Sequence, residues 1–279
     1  MRDQAPTMCF LMETQLDKNG FNNHCRELPF RNKLIVKKPY SEGVLALVWK
    51  PEVHLEVINY IENHILAKVV EEDGMEWFLT CFYGWLEASK KTKSWALLSH
   101  LSTLVNGPWC CIGDFNAILF AAEKQSFYPS QYKQIEEFGQ VLDSCGLANL
   151  GFCGYPFTWN NKRPSAPNTK QRLDRVVTSV DWKGKFRDCT ITYLVSHASD
   201  HLPLLMQTRS DNENWGYGAR GFKFEESWLL WDDCERTVEE AWNSGGETGV
   251  VAQTCMHGAL RKPTQILKKL RSYRNTWRD

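Results

Sequence analysis

Between Trp109 and Ile112 the chain runs Trp-Cys-Cys-Ile, and it then turns polar at Gly113-Asp114-Phe115-Asn116. Successive side chains of a strand point to opposite faces, so Cys110 and Cys111 cannot share one, and a run that is apolar throughout must be covered on both sides. Such a strand belongs inside a layered structure. Asp114 and Asn116 then emerge at its C-terminal end, where open α/β sheets present reactive groups.

Other short runs have strand length and composition: CFLME (9–13), GVLALVW (43–49), HLEVINY (54–60), ILAKVV (65–70) and EWFLTCF (76–82). Glu72-Asp73-Gly74 separates the last two and marks a hairpin turn. The period then changes. Trp95, Leu98, Leu101 and Val105 recur at helical steps, as do Ile135, Phe138, Leu142 and Cys145, with Gly146 as a stop. Two helices are therefore expected among many strands. Beyond residue 150 the strand pattern returns in FTW (157–159), RLDRVVTS (172–179), DCTITYLV (188–195) and HLPLLMQT (201–208), with a polar, proline-bearing, basic loop, NKRPSAPNTKQ (161–171), between the first two. A glycine- and asparagine-rich stretch follows Arg209. The expected organisation is a catalytic-type domain over 1–209, a linker over 210–221 and a charged helical connector over 222–279.

Composition bounds the partners. Lysine plus arginine (33) equals aspartate plus glutamate (33), so no overall field draws the protein to nucleic acid or to an anionic membrane, and any such binding must be local. The ten cysteines are scattered, and none forms a Cys-x-x-Cys pair, which favours small buried apolar residues in a reducing compartment over disulfides or a zinc site. No signal peptide is recognisable, and the longest apolar run, Val44–Trp49, is too short to span a bilayer, so a soluble chain without a membrane partner is expected. No obligate protein partner is inferred.

Seven side chains could carry chemistry. Asp114 could take a proton from water and Asn116 could donate to a developing oxyanion; the alternative is an Asx turn leaving a strand. In Ser199-Asp200-His201, set before an apolar run, His201 could serve as a phosphate-binding cation or general acid and Asp200 could hold a divalent metal, or the triplet could simply cap a strand. Asp174, within Arg172-Leu173-Asp174-Arg175, could orient His201 and favour its cationic form, or belong to an ordinary charged strand start. Tyr83 could donate to a phosphate or be an interfacial core tyrosine. Glu13 could be a hard oxygen ligand for Mg²⁺ or a solvent-facing strand end.

Taken in order, strand-end Glu, Tyr-Gly, Gly-Asp-Phe-Asn, Thr-Trp, Arg-Leu-Asp-Arg and Ser-Asp-His resemble the endonuclease/exonuclease/phosphatase family. Within it, FLMET (10–14), SWALLSHL (94–101), GDFNAIL (113–119), CGLANLGFCGYPFTWNN (145–161), RLDRVVTS (172–179) and SDHLPLL (199–205) resemble the apurinic/apyrimidinic-type endonuclease domain of plant LINE-type (non-LTR) retrotransposons. FKFEESWLLWDDCERTVEEAW (222–242) is similar to the connector that leads toward a reverse transcriptase. The resemblance implies a four-layer α/β sandwich of the DNase-like kind and hydrolysis of a phosphodiester with Mg²⁺ or Mn²⁺, with DNA as substrate and a nuclear site of action. It further implies that Glu13 binds the metal with Asp200 at or near it, that Asp114 orients the attacking water and Asn116 contacts the scissile phosphate. Tyr83 and His201 would hold phosphate oxygens, and Asp174 would buttress His201.

The pattern departs in three places. The family begins with a Trp-Asn strand and a helix before the glutamate strand; this β-α unit of roughly 30 residues is expected to be missing ahead of Met1, which would leave an inner strand unpaired. After Tyr83-Gly84 the chain reads Trp85-Leu86-Glu87 where a proline is usual, and Lys91 stands where an arginine is often found. The third departure is that no reverse-transcriptase core is expected after the connector. A metal-dependent nickase, a catalytically inactive remnant that at most binds nucleic acid, and an enzyme acting on a phosphoinositide or sphingolipid are the readings to separate.

Overall fold

The computed structural model describes residues 5–208 except 15, 27, 38–42, 163–167 and 197–198. The expected linker at 210–221 and helical connector at 222–279 lie outside the described residues. In chain order the elements are β1 (Met8–Leu11), α1 (Lys18–Cys25), β2 (Asn32–Lys37), β3 (Val44–Trp49), β4 (His54–Ile61), β5 (His64–Val70), β6 (Glu76–Tyr83), α2 (Lys91–Leu104), β7 (Trp109–Asp114), β8 (Lys124–Gln125), α3 (Tyr132–Ser144), β9 (Leu147–Asn149), β10 (Trp159–Asn160), β11 (Lys170–Gln171), β12 (Asp174–Ser179), α4 (Val180–Lys185), β13 (Thr190–Tyr193) and β14 (Leu204–Gln207). They fall into two compact units, the first within Met1–Leu150 and Gln171–Arg187, the second comprising Gly151–Lys170 and the chain from Asp188 onward.

The first unit is the expected α/β sandwich. One sheet has the order β1-β3-β2 and the other β4-β5-β6-β7-β12-β9. Within these two sheets every ladder is antiparallel except β6 with β7, which are joined by a helical crossover, α2. On β3, Val44, Ala46 and Val48 pack with Phe21 and Cys25 of α1, so α1 covers the outer face of the small sheet. On the large sheet Leu66, Phe78, Phe82, Trp109, Cys111 and Val177 pack with Trp95, Leu98 and Leu101 of α2 and Phe138, Val141 and Leu142 of α3. The intervening positions of both sheets fill the space between them. Cys110 and Cys111 are each fully buried, as a strand covered on both faces requires. Burial also drives the thiols of Cys81 and Cys111 far above their ordinary range, so they behave as apolar core groups.

The two helices expected from periodicity are α2 and α3, and Gly146 stops the second at φ +65°. The structure adds two more. α1 is capped by Asp17, whose carboxylate accepts from Gly20 N, and α4 by Ser179, whose hydroxyl accepts from Trp182 N. Trp182 and Phe186 close against Trp77, with ring centroids 5.9 and 5.6 Å from it. β2 was not expected either.

The second unit is small and irregular. β13 and β14 pair antiparallel, and single bridges join Cys153 to Thr192 and Trp159 to His201. FTW (157–159) contributes only the two-residue β10, and the run expected to start at His201 becomes a strand only from Leu204. No helix among the described residues is long and apolar enough to cross a membrane.

His64 yields a stability prediction. Its ring is 2% exposed, Nε2 lies 3.0 Å from Asn59 Oδ1, and Nδ1 has no partner. Burial, then the nearby His100, lowers its pKa to about 4. The folded state thus holds the neutral ring while the unfolded chain takes up a proton below about pH 6.5. Stability is complete above that pH and declines as pH falls toward 4. Urea unfolding should show about 2 kcal/mol less stability at pH 5 than at pH 7 from this group, and His64→Gln should remove that part of the decline.

Candidate active site

Register brings three of the expected residues into one row. Tyr83 at the end of β6 is paired with Asp114 at the end of β7, and Asp114 is paired with Asp174 at the start of β12. Directly paired residues project to the same face, so a phenol and two carboxylates stand side by side on the face turned toward the small sheet. Asp114 is 2% and Asp174 4% exposed, and their carboxylate oxygens approach within 4.8 Å.

Glu13 joins this row from the other sheet. It lies two residues beyond β1 in the left-handed region, φ +50°, and its Oε1 accepts a hydrogen bond from the Tyr83 hydroxyl. Tyr83 is held firmly protonated, first by burial, then by the bond to Glu13 and by the Glu13, Asp114 and Glu87 charges. It is a donor, not a base, at any ordinary pH.

The Gly-Asp-Phe-Asn loop leaves β7 through a turn of unusual backbone. Asp114 Oδ1 accepts from Asn116 N at 2.7 Å, the Asx turn foreseen as the simple reading, yet Asn116 sits at φ +51° and its Nδ2 donates to Gly84 O at 3.0 Å. Phe115 points the other way, fully buried and stacked on Phe82 at 4.9 Å. Gly84 N donates to Asp114 O at 2.7 Å. A Cβ on Gly84 would come within 2.5 Å of Phe115 O, so only glycine permits this approach of the two loops.

Behind the row lies an ion-pair cluster. Glu123 accepts from Arg172 Nη1 and Arg175 Nη2, each at 2.9 Å, and all three side chains are buried. The Arg-Leu-Asp-Arg motif is therefore no charged strand start facing solvent. Its arginines point into the fold and only Asp174 shares the row. Lys170 is also buried, so the basic stretch 162–175 offers far less charge to a phosphate backbone than its sequence suggests.

Asp200 and His201 belong to the second unit. Ser199 Oγ accepts from His201 N at 3.1 Å, Asp200 Oδ2 accepts from Trp159 Nε1 at 2.9 Å, and Leu202 N donates to Thr158 O at 2.7 Å. Thr-Trp and Ser-Asp-His, separated by 40 residues of sequence, are thus knit into one local structure. Asp200 is exposed and His201 half-buried.

Sequence reasoning missed Glu123 and Ser94, and read Lys91 only as standing where an arginine is often found. The last two lie at the start of α2. Lys91 is 6% exposed and donates to Trp85 O at 2.7 Å and to Asn116 O. Ser94 Oγ accepts from Trp85 N at 2.9 Å. A lysine displaced from the exposed face of an amphipathic helix was the available signal.

Comparison with curated proteins gave no significant match. Among solved structures the chain is similar to an AP endonuclease from Archaeoglobus fulgidus, at 13% identity over 74% of this chain and 90% of that one, with a TM-score of 0.53. It is also similar to the endonuclease domain of TRAS1, a telomere-specific non-LTR retrotransposon (14% identity, 64% and 80% covered, TM-score 0.48), and to truncated TDP2 of Caenorhabditis elegans (16%, 73% and 84%, TM-score 0.48). The archaeal likeness speaks for the fold alone. The family description Endonuclease/Exonuclease/phosphatase matches residues 4–201, well over half of the 279, and with the layered sheets and the acidic row at the strand ends, this chain belongs to the endonuclease/exonuclease/phosphatase family.

Proposed function

We propose that the protein is a metal-dependent phosphodiesterase that nicks DNA, descended from the endonuclease of a plant LINE-type retrotransposon. The observation that carries the activity is the row of Tyr83, Asp114 and Asp174 with Glu13 bonded to its phenol. The descent rests on GDFNAIL (113–119), CGLANLGFCGYPFTWNN (145–161) and SDHLPLL (199–205), and a nuclear site of action follows from it.

The donor set suits a hard cation. Glu13, Asp114 and Asp174 offer carboxylate oxygens, two of these acids are buried side by side, and no thiol stands in the row. Glu13 would hold Mg²⁺ or Mn²⁺, and the cation would supply charge neutralisation at the phosphorus. The chain's own groups do the rest. Asp114 orients the attacking water and draws its proton. Asn116 spends one amide hydrogen on Gly84 O, and the other is left for a phosphate oxygen. Tyr83 remains a phenol and donates. His201 holds a further phosphate oxygen.

Supercoiled plasmid incubated with the purified chain should convert to open circle in Mg²⁺ or Mn²⁺, stop in EDTA, and fail to convert with His201→Ala. DNA binding that weakens with salt but never leads to cleavage would identify the inactive remnant instead. Release of phosphate from a phosphoinositide or sphingolipid, with plasmid left intact, would replace the nucleic-acid reading.

A further inference from the structure

The loop that bears Asn116 is not held by its own strand alone. Its carbonyl accepts a hydrogen bond from the ammonium of Lys91, which also donates to Trp85 O at 2.7 Å. One turn further along α2, Ser94, fully buried, accepts from Trp85 N at 2.9 Å. Asn116 Nδ2 in turn donates to Gly84 O at 3.0 Å, and Gly84 N to Asp114 O at 2.7 Å. The two loops that end β6 and β7 are therefore stitched to each other and jointly to the N-terminal turns of α2. Among the described residues of this network, the ammonium is the one group outside the two loops that bonds both of them.

We propose that Lys91 is a positioning residue, whose ammonium fixes the Asn116 carbonyl and so holds the left-handed turn that aims the Asn116 amide and the Asp114 carboxylate. This rests on the phosphodiesterase reading for its catalytic consequence, though not for its structural one. A buried ammonium is an expensive way to tie two carbonyls, since desolvation disfavours the charge. Burial brings Lys91 down to about 8, against the Asp114 and Glu87 charges that favour the cation. Its retention between two loops with active-site residues, and not on the solvent face of α2, is what a positional task predicts. Asn116 lies in the left-handed region at φ +51°, which asparagine tolerates better than most residues but which still gains from being fixed by its neighbours.

The test uses the full chain with Lys91→Met, of similar length without the charge, and Lys91→Arg, which keeps cation and donors. Amide hydrogen exchange over 113–117 and 84–86 reads the clamp directly and needs no activity. Lys91→Met should speed exchange at Asn116 and Gly84 at least about tenfold, with the core of β5 unchanged, and Lys91→Arg should restore protection. In plasmid nicking, Lys91→Met should lower kcat about 10²-fold, the scale of a displaced catalytic group, with KM within about threefold of wild type. Lys91→Arg should recover most of it. Unchanged exchange at Asn116 in Lys91→Met would overturn the proposal, as would a uniform loss of protection that Lys91→Arg does not rescue. A wild-type chain that never nicks, yet shows the exchange effect, would sink the phosphodiesterase reading and leave the clamp standing.

Discussion

Asp114→Asn should fold like the wild type and nick plasmid about 10³-fold more slowly. The substitution separates two jobs that one carboxylate performs. Its Oδ1 closes the turn by accepting from Asn116 N at 2.7 Å, and the amide oxygen of asparagine can accept the same bond. The backbone carbonyl bonded by Gly84 N is untouched. Thermal unfolding should therefore move by no more than a few degrees, on the order of 1 kcal/mol. What disappears is the negative charge and the basicity, in a row already rich in buried acid. A positioned base contributes about 10²–10⁴-fold, and an amide is not a base. Nicking by Asp114→Asn at the wild-type rate would remove Asp114 from the chemistry and reduce Gly-Asp-Phe-Asn to the turn that its sequence alone suggests.

That simpler reading and the functional one are both present at Gly-Asp-Phe-Asn, which is why sequence could not choose between them. The Asx turn exists, and it is also how the carboxylate is aimed. β7 was legible because apolar residues at every position allow only a strand covered on both faces. α2 and α3 were legible because Trp95, Leu98, Leu101, Phe138 and Leu142 return at helical steps and are buried. α1 escaped notice since its eight residues bury only Phe21 and Cys25, and glycine and three asparagines among Lys18–Cys25 argue against a helix on propensity. Packing on β3 outweighs that. In β2, Lys33 and Lys37 mask a strand whose one buried residue is Val36. The order of the site residues was legible, but not the register that sets Tyr83, Asp114 and Asp174 abreast, because pairing between strands distant in sequence leaves no local trace. Glu123 and Arg175 lie 52 residues apart and share no period or motif.

That buried cluster carries the other large expected effect. Glu123→Ala should destabilise the fold by about 3–5 kcal/mol, the usual result of removing one partner from a buried charge network. Glu123 Oε1 accepts from Arg172 Nη1 at 2.9 Å and Arg175 Nη1 at 3.2 Å, while Oε2 accepts from Arg175 Nη2 at 2.9 Å and Leu119 N at 2.6 Å. One carboxylate thus faces two guanidinium groups, and its loss leaves two buried cations together. Arg172→Met should cost less, since a balanced pair of Glu123 and Arg175 survives it and Arg175 keeps its bonds to Ala117 O and Arg172 O at 3.0 and 2.8 Å. Burial works to raise the Glu123 pKa; the Arg175 charge and hydrogen bond, the Leu119 N–H and Arg172 outweigh it and leave the carboxyl below its ordinary value. Its contribution to stability is therefore complete above the unfolded glutamate value, about 4.3, and is lost as pH falls through the lower folded one. Denaturant titrations of the two single variants and the double variant check the ranking. Equal costs for Glu123→Ala and Arg172→Met would mean that charge imbalance is not what the cluster controls. The expected ranking would make Glu123 the counter-ion that lets two arginines be buried together, one of which, Arg175, bonds Ala117 O and so holds down the chain that follows Asn116.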